Sequence, residues 1–182
     1  MVDVTPSGRT PSDMPGLDIA EMRSWQNFLE ATLRLSAKLN RELMAAHKVT
    51  LDDVRLLHAL ATADTGHVRM GALADALLST PSRVSRQMDR LAARTLVSRL
   101  TSEKDGRYVL ATITGDGRAV LSDAMASYAG AVRMHYLGPL SRAQTAAMAE
   151  NCRRINAALT PQAGPAKPGT RERGSPSIHS VS

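Results

Sequence analysis

The stretch STPSRVSRQMDRLAAR, residues 79–94, constrains the fold of this chain more than any other. Ser79 or Thr80 can cap a helix there, and Pro81 suits the first helical position, where its missing N–H loses no partner. At roughly 100° per residue, Val84, Met88 and Leu91 fall on one narrow stripe, with Ser82, Arg83, Arg86 and Arg90 on the opposite face. A helix divided this sharply buries its apolar side in a core and leaves its cations either to solvent, as an ordinary charged surface, or to a polyanion.

The chain has 182 residues and a formal net charge of +6. From Arg69 to Arg118 nine basic residues stand against five acidic ones, so most of the excess surrounds that helix. Aromatic platforms for single strands are scarce, with one Phe, one Trp and three Tyr, of which only Tyr108 lies in the basic region. Double-stranded DNA is therefore favoured over single strands or RNA. An enzyme is not expected, because there is no G-x-S-x-G, no Walker sequence and no concentrated His/Asp/Glu cluster. His47, His58, His67 and His135 lack the tight spacing of metal ligands, so neither a metal nor a cofactor is expected. A single cysteine, Cys152, precludes an intrachain disulfide. Residues 1–16 lack the apolar core of a signal peptide, and no uncharged apolar run approaches the roughly 18 residues of a membrane span, which predicts a cytoplasmic protein.

Proline and glycine crowd residues 1–16 and 161–182, read as a disordered arm and a disordered basic tail around a folded unit over 17–160. Trp25, Phe28, Leu29, Thr32, Leu33, Ser36, Leu39 and Leu43 follow helical spacing over a first helix ending near His47 and Lys48. Thr50 caps a second helix to about Ala63, whose dipole Asp52 and Asp53 complement. ADTGHVR reads as a polar break, and MGALADALL as a short third helix burying Met70, Leu73, Ala74 and Leu77. With a turn of about three residues before the opening segment, this is a helix-turn-helix over about 69–94.

Two β-prone runs, from Leu96 to Thr101 and from Tyr108 to Ile113, flank the Asp105-Gly106 turn signal and predict a hairpin over about 96–114. Placed after a recognition helix, the hairpin is a wing with Lys104 and Arg107 near its tip. Thr114 caps a further helix striped by Val120, Leu121, Met125, Tyr128 and Val132. Ser141 caps a last one, striped by Ala143, Ala147, Met148, Cys152, Ile155 and Leu159, where the thiol is expected to be buried and inert. The predicted fold is mainly α with a small β-hairpin wing. Its reading head spans about 50–118, and flanking helices, about 17–47 and 116–160, are expected to form a two-fold homodimer.

The recognition helix carries S-x-V-S-R-x-M-D-R-L in Ser82, Val84, Ser85, Arg86, Met88, Asp89, Arg90 and Leu91. There follow L-V-x-R in Leu96, Val97 and Arg99, D-x-R in Asp105 and Arg107, and I-T-x-x-G in Ile113, Thr114 and Gly117. In this order and spacing the chain resembles the MarR (multiple-antibiotic-resistance regulator) winged helix-turn-helix transcription factors over about 20–160, most densely over 69–118. The resemblance implies obligate dimers, each lobe placing its recognition helix in a major groove and its wing against the neighbouring minor groove. It also implies a mostly repressive regulator released from a palindromic operator by a small-molecule inducer or an oxidant. No cysteine lies near the first helix, which disfavours thiol sensing.

Candidate DNA contacts are then Thr80, Ser82, Arg83, Ser85, Arg86, Gln87 and Arg90 on the helix and Lys104, Asp105 and Arg107 on the wing. The resemblance directs Arg107 at the minor groove and gives Asp105, together with Arg99, the task of orienting it. Trp25, His58 and Arg69 are candidates for an effector pocket between the dimer helices and the reading head. Two positions depart from the family. Thr95 stands where a glycine usually follows the recognition helix, and a β-branched residue disfavours φ > 0, so a differently shaped helix end is expected. Gly106 replaces a second basic wing residue, which predicts a more flexible tip with fewer cationic contacts. The rival reading is a winged-helix module that contacts another protein or binds duplex DNA non-specifically.

Overall fold

The computed structural model describes residues 14–101 and 109–160. Two compact units divide the chain, one through Leu140 and one from Ser141. The first unit begins with helix α1 (Ile19–His47), capped by reciprocal bonds between Asp18 and Glu21. It ends on Lys48, whose φ of 58° lets its N–H reach the Met44 carbonyl at 3.2 Å. Helix α2 (Leu51–Ala61) stops two residues short of the expected end and starts on a capping box between Thr50 and Asp53.

The segment read as a polar break contains a short strand, β1 (Val68–Arg69), before helix α3 (Met70–Ala76). The connection to α4 (Pro81–Ala92) is four residues, Leu77–Thr80, and Thr80 is the cap. The hairpin strands β2 (Val97–Thr101) and β3 (Val109–Ile113) pair antiparallel with Val97 opposite Ile113, and β1 adds to the far edge of β3 in the order β1-β3-β2. That third strand escapes sequence reading because two residues carry no period; pairing with Ala111 and Leu110 makes them a strand.

All three helices of the head and the sheet close on one core. Leu56, Leu57 and Leu60 of α2, Leu73 of α3, Val84, Met88 and Leu91 of α4 and Ala111 of β3 are fully buried. Leu73, Ala74 and Leu77 are buried as expected, whereas Met70 stays partly exposed. Helix α5 (Gly115–Val132) leaves the sheet through Thr114, whose hydroxyl accepts from Gly117 N–H at 3.0 Å. An added Cβ on Gly117 would stand 2.0 Å from the Leu96 carbonyl oxygen, so the I-T-x-x-G glycine is there for close backbone approach.

Helix α5 continues as a π-helical turn (Arg133–Leu137), closed by Gly138 N–H donating to the Arg133 carbonyl at 2.8 Å. His135 Nε2 lies 2.8 Å from Glu42 Oε1 and His47 Nε2 lies 2.8 Å from the Ser127 hydroxyl, so polar contacts join α1 to the far end of this helix. Leu39 and Leu43 of α1 are buried, but Trp25, Phe28, Leu29 and Leu33 further up the same stripe are exposed.

The second unit contains α6 (Arg142–Leu159), which opens with a capping box between Ser141 and Gln144. No residue of α6 is buried; Met148, Ile155 and Leu159 are exposed and Cys152 is partly so, which corrects the expectation of a buried thiol. No helix among the described residues is long and apolar enough to cross a membrane.

Candidate nucleic-acid interface

Helix α4 is held by its fully buried stripe, so its opposite side has to face outward. The turn before it is a tight one. Leu78 takes φ 51°, its N–H donates to the Asp75 carbonyl at 3.0 Å, and Ser79 N–H donates to Ala74 at 3.0 Å. This pair of bonds is the Schellman ending normally built around glycine, here with a leucine in the left-handed position. Arg55 Nη2 donates to the Leu77 carbonyl at 3.3 Å and steadies the same turn from α2.

Ser82, Arg83 and Arg86 lie exposed on the outer face of α4. Among the described residues the side chains of Arg83 and Arg86 have no hydrogen-bond or ion-pair partner, leaving both guanidinium forks available. Thr80 is committed to its cap, its hydroxyl 3.4 Å from Arg83 N. Between the start of α2, the turn and α4 opens a cavity of about 590 Å³ whose wall includes Arg55, Arg83, Arg86 and Arg90. Arg55 pairs with Asp52 at 3.8 Å and Arg90 with Asp53 at 2.6 Å, so the positive potential of this concavity comes chiefly from Arg83 and Arg86.

The other predicted contacts have partners within the protein. Arg99 of β2 donates to Asp89 Oδ1 at 2.6 Å, to the Ser85 carbonyl at 2.9 Å and to the Ser85 hydroxyl at 3.3 Å. Arg99 therefore fixes the hairpin to α4 through Asp89 and Ser85, whereas the family resemblance groups it with Asp105. Gln87 Nε2 donates to Asp53 Oδ1 at 3.0 Å, and Arg90 Nη2 reaches the same oxygen at 2.6 Å. Asp53, read from the sequence only as a dipole complement, is 1% exposed and lies beneath α4. Its T-x-x-D spacing signals the capping box; nothing local signals the tertiary partners. Lys104, Asp105 and Arg107, and with them Gly106, lie outside the described residues.

Thr95 corrects a second expectation. The end of α4 keeps the glycine-type geometry, with Thr95 at φ 60°, Thr95 N–H on the Ala92 carbonyl at 2.9 Å and Leu96 N–H on Leu91 at 3.1 Å. Tertiary bonds hold the threonine there: its carbonyl accepts from the Thr114 hydroxyl at 2.7 Å, and its own hydroxyl lies 3.3 Å from Asp116 Oδ2. The helix therefore ends as a glycine would end it, at a steric cost that the α5 start offsets.

Trp25, His58 and Arg69 are not brought together. His58 lines a largely apolar cavity of about 320 Å³ with Val54, Arg55, Ala59, Ala76, Leu77, Met125 and Tyr128. Trp25 stands on the exposed part of α1 with its ring 6.1 Å from that of Phe28, and Arg69 is on β1; neither lines this cavity.

A family model described as MarR family matches residues 47–107, from the end of α1 through the hairpin. No curated protein matches the chain. Among solved structures, Sco3205, a MarR family transcriptional regulator from Streptomyces coelicolor in complex with DNA, is 28% identical with a TM-score of 0.75, covering 80% of this chain and 94% of its own. AbsC, a MarR family transcriptional regulator of the same organism, is 25% identical with a TM-score of 0.73, covering 80% of this chain and 98% of its own. BpsR of Bordetella bronchiseptica, whose DNA binding is regulated by 6-hydroxynicotinic acid, shares the fold at 24% identity and a TM-score of 0.65, covering 74% of this chain and 98% of its own. With its recognition helix, its hairpin and these likenesses in agreement, residues 47–107 match the MarR family and the chain is similar in fold to MarR family winged helix-turn-helix transcriptional regulators.

Proposed function

We propose that this protein is a cytoplasmic, sequence-specific regulator that binds a palindromic operator in double-stranded DNA as a homodimer and represses until a small-molecule inducer releases it. The family supports DNA-binding regulation in general. One observation carries the reading to this chain: Arg83 and Arg86 stand exposed and unpartnered among the described residues on a helix whose other side is fully buried. Such forks can read a guanine edge in the major groove or clasp phosphate. Ser82 on the same face and Lys104, Asp105 and Arg107 of the wing are assigned to the same duplex.

Dimerisation is supported by the exposed apolar face of α1, where Trp25, Phe28, Leu29 and Leu33 cluster at helical spacing. The apolar cavity beside His58 supports an inducer site, since small-molecule sites are concave, mostly apolar and supplied with a few polar groups. Titration of duplexes from the gene's upstream region against random duplex, at several salt concentrations, tests the reading. Specific duplex should outcompete random duplex, and affinity should fall by about 0.9 log unit per tenfold salt for each phosphate neutralised. Arg86→Ala should relax sequence discrimination, and Arg107→Ala should weaken binding while leaving the melt unchanged. Equal affinity for both duplexes would make the protein an architectural binder, and no affinity for either would leave the face to a protein partner.

A further inference from the structure

We propose that Asp53 is a positioning residue that decides which α4 side chains read DNA, by holding Gln87 and Arg90 out of the groove and leaving the reading to Ser82, Arg83 and Arg86. This rests on the DNA-binding reading above. Asp53 is 1% exposed, and its two oxygens accept from three donors: Thr50 N–H at 2.9 Å on Oδ2, Gln87 Nε2 at 3.0 Å and Arg90 Nη2 at 2.6 Å on Oδ1. A carboxylate taken out of water depends on those donors. For Gln87 or Arg90 to swing to a base edge, it would have to leave a buried anion under-satisfied, a penalty that offsets what one base contact returns.

Arg90 is 51% exposed, so its outer edge touches solvent, but its charge is already matched at close range by Asp53. A phosphate there meets an ion pair rather than a free cation. Because Asp53 belongs to α2 and its two partners to α4, the same contacts also fix how far α4 can rotate about its long axis. The two bonds from α4 therefore set both which side chains project and the direction in which they do so.

The full chain is titrated with operator and random duplex across a salt series. The variants are Asp53→Asn, which is isosteric and keeps an acceptor for Thr50, and Asp75→Asn, an exposed acid on α3 that removes the same charge without touching α4. Asp53→Asn frees Arg90: random duplex should bind several-fold more tightly, the salt slope should steepen by about 0.9 for the added phosphate, and discrimination should fall. Asp75→Asn should leave the slope as it is, and Asp53→Asn combined with Arg90→Gln should restore it. Equal slopes for the two single variants would overturn the proposal. Gln87→Ala decides the matter where Asp53→Asn fails to fold: base preference at every operator position should stay within about twofold of wild type, and a changed preference at any position would show that Gln87 reads DNA. Wild type that binds no duplex sinks the DNA-binding reading separately. Melting then judges the clamp: Asp53→Asn and Arg90→Gln should together lower Tm by less than the sum of their separate losses, and additive losses would refute it.

Discussion

Val84, Met88 and Leu91 on α4 and Trp25, Phe28 and Leu33 on α1 obey the same helical spacing. The first three are wholly buried, whereas the second three are 46%, 42% and 61% exposed. Stripe quality does not separate them. The difference is in what lies opposite: α4 faces α2, α3 and the sheet of its own chain, while the upper part of α1 presents its apolar face to solvent. An apolar stripe is thus a request for a partner, which the reading head answers internally and the upper part of α1 leaves unanswered among the described residues.

The largest effect should come from deepening the contrast at the core. Leu57→Ala removes a fully buried side chain of α2 and should cost about 2–5 kcal/mol in thermal or denaturant unfolding; a loss below about 1 kcal/mol would mean that the head is not the well-packed half. Gly117→Ala comes next. Its Cβ must displace the Leu96 carbonyl, so a loss of about 1–3 kcal/mol is expected although the change adds a single carbon.

Leu33→Asp probes the other side of the contrast. Its side chain is 61% exposed, so the protomer should keep its fold by circular dichroism, while self-association measured by sedimentation should weaken at least tenfold, about 1.4 kcal/mol. Unchanged sedimentation would show that this face has no second copy on it. Leu78→Asn should stabilise by about 0.5–1 kcal/mol, since Leu78 is 91% exposed at φ 51° and asparagine tolerates the left-handed region; a lower Tm would reveal a contact that the leucine makes.

The smallest effect lies at the seam between α1 and the π-helical turn that follows α5. The hydrogen bond from His135, and then that from Lys38, hold the Glu42 carboxyl below its ordinary value of 4.5. A depressed carboxylate contributes stability above that value and loses it as pH falls through the lower folded-state value. Wild type should therefore lose slightly more Tm than Glu42→Gln on acidification below about pH 4.5, and parallel pH profiles would remove Glu42 from the seam's energetics.

Most elements were legible because their determinants are local. Thr50, Thr114 and Ser141 each cap the helix they were expected to cap, and Thr80, one of two candidates with Ser79, caps α4, since a side-chain oxygen has to reach only an N–H three residues on. Three helix ends were illegible for the converse reason. Lys48, Leu78 and Thr95 all adopt positive φ without a glycine, and what holds Thr95 there is Thr114, nineteen residues away. The interface shows the same division: outward arginines follow from helical spacing, but which of them is free depends on α2.

By itself, the amino-acid order determined the helices, the hairpin runs, the basic face of residues 79–94 and the family's ordered motif. Periodicity, caps and turn residues act over a few positions and survive without knowledge of the rest of the chain. Tertiary structure alone decided that Asp53 sits under Gln87 and Arg90, that Arg99 clasps α4, and that half of the α1 stripe stays uncovered. Burial and long-range pairing are properties of what the folded chain brings opposite a residue, and no local pattern encodes the opposite side.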